Sequence, residues 1–389
     1  MTKLPTYLDR YPAKMVSRLA SRLVSEYADN APSILDPFCG SGAILAEAAS
    51  RGIAVHGIDL NPYGILLSKI KIEGFNSVEA KALWLEIERN MARSNQTLPM
   101  NWERKNYWFT SATLHKFEKL RSVLYDLRVW KSQAGRAILL AFALSIRRCS
   151  RADQRSPKPY ISKTARRKRA GRHFDPMVEI GLLLDKLCSL YGRKTGRKAN
   201  LHCDNITDLR TSIARHSHII TSPPYINAQD YFRNFKLELY MLEGLLNFSV
   251  ADIKKKFIGT DRGNVLVGIP DEVLERNKKL FPKLALMRQA SPRSAAVVDR
   301  YFWDMSKAIQ NITDILNPGG TFVLVCGDNL VAGQRIPTWR ILNSMTEQSG
   351  LTLHDQFGDK IECRLIPPQR KGHKGLIKQE VVSVFVKPK

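Results

Sequence analysis

Apolar positions along this chain fall into short runs that stop at turn residues, separated by stretches with helical spacing. Between Pro32 and Asp59 the pattern reads as a strand over 33–35, a glycine turn, a helix over 43–49 and a second strand over 54–58, which is one βαβ unit. Further apolar runs at 201–203, 218–221, 321–326 and 381–386 end at polar or turn residues, as strands buried on both faces do. The expected fold class is α/β, a doubly wound, mainly parallel sheet with helices on both faces.

The stretch between Asp59 and Asp204 is far longer than one crossover helix requires, so most of it is expected to be an insertion or a helical subdomain. Its apolar spacing is helical around 80–91 and 117–146, and it passes into a basic segment, 147–172, that includes Arg147, Arg148, Arg151, Arg155, Lys158 and Lys163. The expected division is an N-terminal part of the α/β domain over 1–90, a helical basic insertion over 91–198 and a C-terminal part over 199–389, with a second insertion near 247–300. No internal repeat is evident.

Composition adds a partner class. Lys and Arg number 61 against 36 Asp and Glu, a formal charge of +25 in 389 residues, which is more than solubility needs and points to a polyanion. The first residues carry no apolar core of a signal peptide, and no run of 18 or more apolar residues occurs, so neither secretion nor membrane spanning is expected and the expected location is the cytoplasm. The six cysteines are scattered, with no CxxC pair and no metal-ligand spacing; they are read as reduced and structural, with no metal.

Two motifs carry chemistry. Asp36-Pro-Phe-Cys-Gly-Ser-Gly42 lies where a strand hands over to a helix. Glycine there lets the backbone approach a ligand, and the helix N-terminus presents unpaired N–H groups that suit a carboxylate or phosphate. The next strand ends in Gly57-Ile-Asp-Leu-Asn-Pro62, where Asp59 is placed to accept from both hydroxyls of a ribose. The turn departs from the GxGxxG of dinucleotide enzymes, since Gly42 is followed by Ala-Ile-Leu. The second motif, Thr221-Ser-Pro-Pro-Tyr225, ends an apolar strand in a double proline. Pro223 and Pro224 have no N–H and stiffen an extended turn, leaving a carbonyl free to accept beside the Ser222 hydroxyl, with the Tyr225 ring next to both.

Together the motifs resemble those of the S-adenosylmethionine-dependent DNA amino-methyltransferases of the SPPY type, over roughly Leu4 to Glu73 and His202 to Asn329. The resemblance implies a class I methyltransferase fold with S-adenosylmethionine as cofactor. It places Phe38 in the cofactor pocket, beside Asp36, Pro37 and Leu60, with Gly40, Ser41 and Gly42 around the methionine portion and Asp59 on the ribose. Tyr11, Pro12 and Lys14 correspond to a short segment closing over the methionine end. Asp204 stands where such enzymes place a polar residue against adenine, with Asp208 and a plain loop cap as competing readings. Ser222, Pro223, Pro224 and Tyr225 form the catalytic set that grips and stacks a base flipped from double-stranded DNA.

Cytosine-C5 chemistry needs a thiolate after a proline, and no cysteine here follows a proline. Serine at the head of the motif leans towards cytosine N4, but the cofactor motif comes first, unlike the permuted order common among cytosine-N4 enzymes, which keeps adenine N6 as the alternative. An RNA methyltransferase acting on guanine N2 and a non-catalytic DNA-binding subunit are the remaining readings. The resemblance also implies a cognate restriction endonuclease as partner. In a chain of this charge, Arg166, Arg167, Lys168, Arg169 and Arg172 are expected to contact nucleic acid, with 91–198 as the candidate recognition region. Neutralising Arg166, Arg167, Lys168 and Arg169 together is expected to weaken DNA binding for every sequence, lowering the slope of log K against log salt by about 0.9 for each phosphate no longer neutralised. Filter binding over a salt series checks this; an unchanged slope returns the segment to a solvated loop.

Overall fold

The computed structural model describes residues 11, 15–154, 158–162, 174–226, 231–259, 268–360 and 379–389. They fall into two compact units. Of the sequence-predicted site residues, Pro12, Lys14, Arg166, Arg167, Lys168, Arg169 and Arg172 lie outside the described residues.

The first unit draws on Ala13–Leu60, Ala199–Tyr231 and Lys255–Lys389. Its strands are β1 (Ser33–Asp36), β2 (Ala54–Asp59), β3 (Ala199–Cys203), β4 (His216–Thr221), β5 (Leu316–Cys326), the small hairpin β6 (Asn329–Val331) and β7 (Gln334–Ile336), then β8 (Thr352–Lys360) and β9 (Gln379–Val386). Seven form one sheet in the order β3-β2-β1-β4-β5-β9-β8. The first five run parallel, and β9 is antiparallel to both β5 and β8. The predicted doubly wound, mainly parallel sheet is therefore the observed one. Ile34, Leu35, Ile58, Ile219, Ile220 and the run Phe322 to Val325 are buried, which is why these segments read as continuous apolar runs. Strand order reverses between β1 and β4, and outside the carboxyl ends of such a pair an α/β sheet leaves its ligand crevice.

β5 begins ahead of the apolar run 321–326 and includes Asn317-Pro-Gly-Gly320; its pairing with β4 is irregular between His216 and His218. The second insertion is helical over Asp271–Leu280 and Lys283–Ala290 and leads into the long helix Pro292–Ile315. Asp299 on that helix fastens the other two, accepting from Arg288 Nη2 at 2.8 Å and from Asn277 Nδ2 at 3.0 Å.

The second unit gathers the described residues of Met1–Pro12, Asn61–Lys198 and Phe232–Lys254 and, among them, is helical. The helix read over 117–146 is two, Ser111–Asp126 and Gln133–Cys149. Arg128 between them takes a left-handed conformation at φ 48°, and the Ser132 hydroxyl accepts from the Gly135 N–H to start the second helix. Arg121 is buried and donates to the carbonyls of Leu98, Met241 and Glu243. The head of the basic segment is likewise structural: Arg147 is buried and donates to the Asp153 carbonyl, and Arg148 pairs with Glu179 at 2.5 Å. Those two cations are committed to the fold and correct the reading of 147–172 as one solvated or polyanion-facing run.

Candidate active site

The glycine motif sits at the carboxyl end of β1. Gly40 and Gly42 have φ of 49° and 71°, a left-handed backbone that a side chain would strain. The turn is pinned by N–H bonds from Cys39 to the Ile58 carbonyl at 3.0 Å and from Gly42 to the Cys39 carbonyl at 2.7 Å. Gly42 caps the helix Ala43–Ser50 without a side-chain acceptor, so no cap side chain accepts from the first N–H groups of that helix. At the end of β2, Asp59 Oδ2 accepts from the Gly40 N–H at 2.7 Å. A carboxylate commands about four acceptor sites, of which this bond takes one. A helix terminus for an α-carboxylate and an acid for a diol, on adjoining strand ends, suit the two polar ends of S-adenosylmethionine.

Asp36 is placed differently. It is buried, and its Oδ1 accepts from the Thr221 hydroxyl at 2.6 Å and from the Phe38 N–H at 3.1 Å. Burial is the main influence on its acidity, and with the nearby Asp59 charge it overcomes those two hydrogen bonds, pushing the pKa up to about 7. Asp36 thus joins the end of β1 to the end of β4, one residue before the Ser-Pro-Pro-Tyr turn. Pro37, Ser41 and Pro223 are buried, while Phe38, Leu60, Ser222 and Pro224 are half-buried.

Tyr225 is buried, and its hydroxyl donates to Oε1 of Glu380 on β9. Burial first, then the Glu380 charge, raises its pKa far above the usual phenol value. Tyr231 is raised for the same reasons, through burial and the charges of Asp59 and Glu380. Asp204 serves its own loop: Oδ1 accepts from the Asn205 N–H, and Oδ2 from the N–H groups of Arg210 and Thr211 at 3.0 and 2.9 Å. Burial acts to raise its pKa, but these bonds prevail and lower it. Of the readings open for Asp204, this geometry is that of the loop cap. The Tyr11 ring packs against Phe235 with centroids 5.0 Å apart and planes tilted by 30°, and Tyr63 does so at 5.0 Å and 31°.

The sequence reading missed Thr221 as a bridge and Glu380 altogether. Thr221 is adjacent to the motif and ends an apolar strand, a signal that was available; Glu380 is 155 residues from its partner and has none. The thiols of Cys39, Cys203 and Cys326 are all pushed up by burial, that of Cys203 to about 12, so they keep their protons at neutral pH. Among the described residues no cluster of His, Cys, Asp or Glu could hold a metal ion, and no helix is long and apolar enough to cross a membrane.

The sheet order, the glycine turn and the acid at the end of β2 are those of the class I methyltransferase fold. Residues 7–103 match the family of the RMKL-like methyltransferase domain, UPF0020. Over nearly the whole chain the sequence is similar to type II methyltransferases. It is 21% identical to M.MvaI of Kocuria varians, covering 92% of this chain and 84% of that protein, and 23% identical to M.AvaI of Nostoc sp. (strain PCC 7120), covering 91% and 79%. Among solved structures, an S-adenosylmethionine-dependent methyltransferase from Methanosarcina mazei aligns with 12% identity and a TM-score of 0.34, covering 94% of this chain and 97% of that one.

Two outcomes test the site. Asp36 holds a proton in the folded state up to about pH 7, whereas an ordinary aspartate, with a pKa of 3.8, releases it much earlier. Its contribution to stability is complete below about pH 3.8 and is lost as pH rises to about 7. Asp36→Asn, whose amide oxygen still accepts from Thr221, is expected to flatten the fall in urea midpoint over that window; parallel curves for the two proteins refute the shift. Asp59→Ala is expected to weaken S-adenosylhomocysteine binding by about 1.5–3 kcal/mol with the fold intact, and calorimetry showing unchanged affinity removes Asp59 from the ribose.

Proposed function

We propose that this chain is a type II DNA methyltransferase that moves a methyl group from S-adenosylmethionine to the exocyclic amino group of a base turned out of duplex DNA, with cytosine N4 as the target. The observation that carries this reading is the Thr221 to Asp36 hydrogen bond at 2.6 Å, which sets the glycine turn and the Ser-Pro-Pro-Tyr turn side by side at the switch point of the sheet. On that reading Gly40, Ser41 and Gly42 receive the methionine end, Asp59 the ribose, and Phe38 and Leu60 line the pocket. The relatives' type II designation and the charge of +25 support DNA as the polyanion.

S-adenosylmethionine supplies an electrophilic methyl on a sulfonium. The chain's own residues prepare the acceptor. An amino lone pair delocalised into the base ring is a poor nucleophile; the Ser222 hydroxyl and the Pro223 carbonyl, accepting its two hydrogens, favour a more tetrahedral nitrogen. Attack in line then needs orientation and no covalent enzyme intermediate. Tyr225 supplies the stacking face, worth about 1–3 kcal/mol per base; its ring is buried here, so the entering base displaces whatever covers it.

The serine at the head of the turn supports cytosine N4, and adenine N6 is the alternative. Labelled methyl transfer to duplex DNA against tRNA, followed by digestion to nucleosides, decides the polymer and the atom together: label in N6-methyladenine replaces the cytosine assignment, and label in tRNA alone overturns the DNA reading. Ser222→Ala is expected to lower kcat about tenfold, the worth of one acceptor, while S-adenosylhomocysteine affinity stays within about twofold. Equal losses in both quantities transfer Ser222 from the base to the cofactor.

A further inference from the structure

The tyrosine of the catalytic turn is held by residues remote from it in sequence. β9 runs antiparallel to β5, so its first residues lie where the parallel strands finish: Val381 pairs with Cys326 at the end of β5, as Leu324 pairs with Thr221 at the end of β4. Glu380 stands one residue before Val381 and accepts the Tyr225 hydroxyl. On the other side, Gly259 has a φ of 75°, and a Cβ there would lie 2.7 Å from the Tyr225 carbonyl oxygen, so only glycine lets that loop close on the turn. The ring belongs to a buried cluster with Ile226, Ile258 and Tyr301.

We propose that Glu380 is a positioning residue for methyl transfer: its carboxylate holds the Tyr225 hydroxyl and thereby fixes the position of the ring on which the target base stacks. This rests on the reading of Tyr225 as the base-stacking residue. A stacked base follows the ring beneath it; packing in the buried cluster holds the plane of the ring, and a hydrogen bond at its far end fixes the direction of its long axis, which swings about the Cα–Cβ bond. A carboxylate acceptor makes this bond about twice as strong as a neutral one, and the phenol stays protonated, and so remains a donor, throughout the neutral range.

The test compares Glu380→Ala, Glu380→Gln, Tyr225→Phe and the double variant Glu380→Ala/Tyr225→Phe. Each Glu380→Ala or Tyr225→Phe change is expected to lower kcat for DNA about tenfold, as removal of one charged hydrogen bond does, with S-adenosylhomocysteine affinity unchanged. The double variant is expected to lose no more than either single one, because both remove the same interaction. Glu380→Gln, which keeps an acceptor and nearly the same shape, is expected to retain most of the rate. In protein labelled at the tyrosine ring carbon that bears oxygen, the Tyr225 resonance, assigned by its loss in Tyr225→Phe, is expected to move in Glu380→Ala and to stay near its place in Glu380→Gln. Multiplying losses in the double variant, a parallel loss of cofactor affinity, or an unmoved resonance in Glu380→Ala overturns the positioning role while the DNA reading stands. Failure of the unaltered chain to methylate any DNA overturns the functional reading, and the positioning role with it.

Discussion

The hydroxyl of Thr221 on the carboxylate of Asp36 is the bond through which the two halves of the site are set against each other. A parallel sheet aligns strand ends only as well as its register, and β1 and β4 are registered through a single pairing, Leu35 with Ile219. After Asp36 and Thr221 the two strands leave the sheet, one into a turn that needs left-handed glycines and the other into a turn stiffened by prolines. Without a cross-link at that point, each turn would take its own direction. The cost is a buried acid, met by a short bond from a neutral hydroxyl and one backbone N–H, with enough proton affinity left for the group to be partly neutral near pH 7.

The two acids that follow the motif show how alike residues diverge with surroundings. Asp59 lies beside a glycine whose N–H it accepts, at the mouth of the turn. Asp204, also just past a strand, has both oxygens committed to backbone N–H groups of its own loop. Composition and position alone do not separate them; the segment from which each takes its N–H groups does.

The sheet was legible because strands buried on both faces leave uninterrupted apolar runs, and the glycine and proline turns because their backbone demands are met by few residue types. β8 was not legible: seven of its nine residues are exposed, so nothing in Thr352–Lys360 announces a strand until β9 is there to pair with it. The division of 117–146 into two helices turns on one left-handed residue, Arg128, which is not a residue type that signals a break. Arg147 and Arg148 read as surface charge because a run of basic residues resembles a solvated face, whereas their partners, the Asp153 carbonyl and Glu179, are set by packing. Glu380 is the extreme case, since its role comes from sheet topology alone.

That topology also orders events during synthesis. β9 lies between β5 and β8 in the sheet but after both in the chain. As the polypeptide emerges from the ribosome, β8 has no neighbour to pair with, and the edge of β5 stays open, until residues 379–386 are out of the exit tunnel. The same residues bring Glu380 to the Ser-Pro-Pro-Tyr turn. The nascent chain therefore carries both motifs long before its sheet can close, and a basic, half-built methyltransferase with an open β5 edge is the species a folding cell has to protect from pairing with the wrong strand.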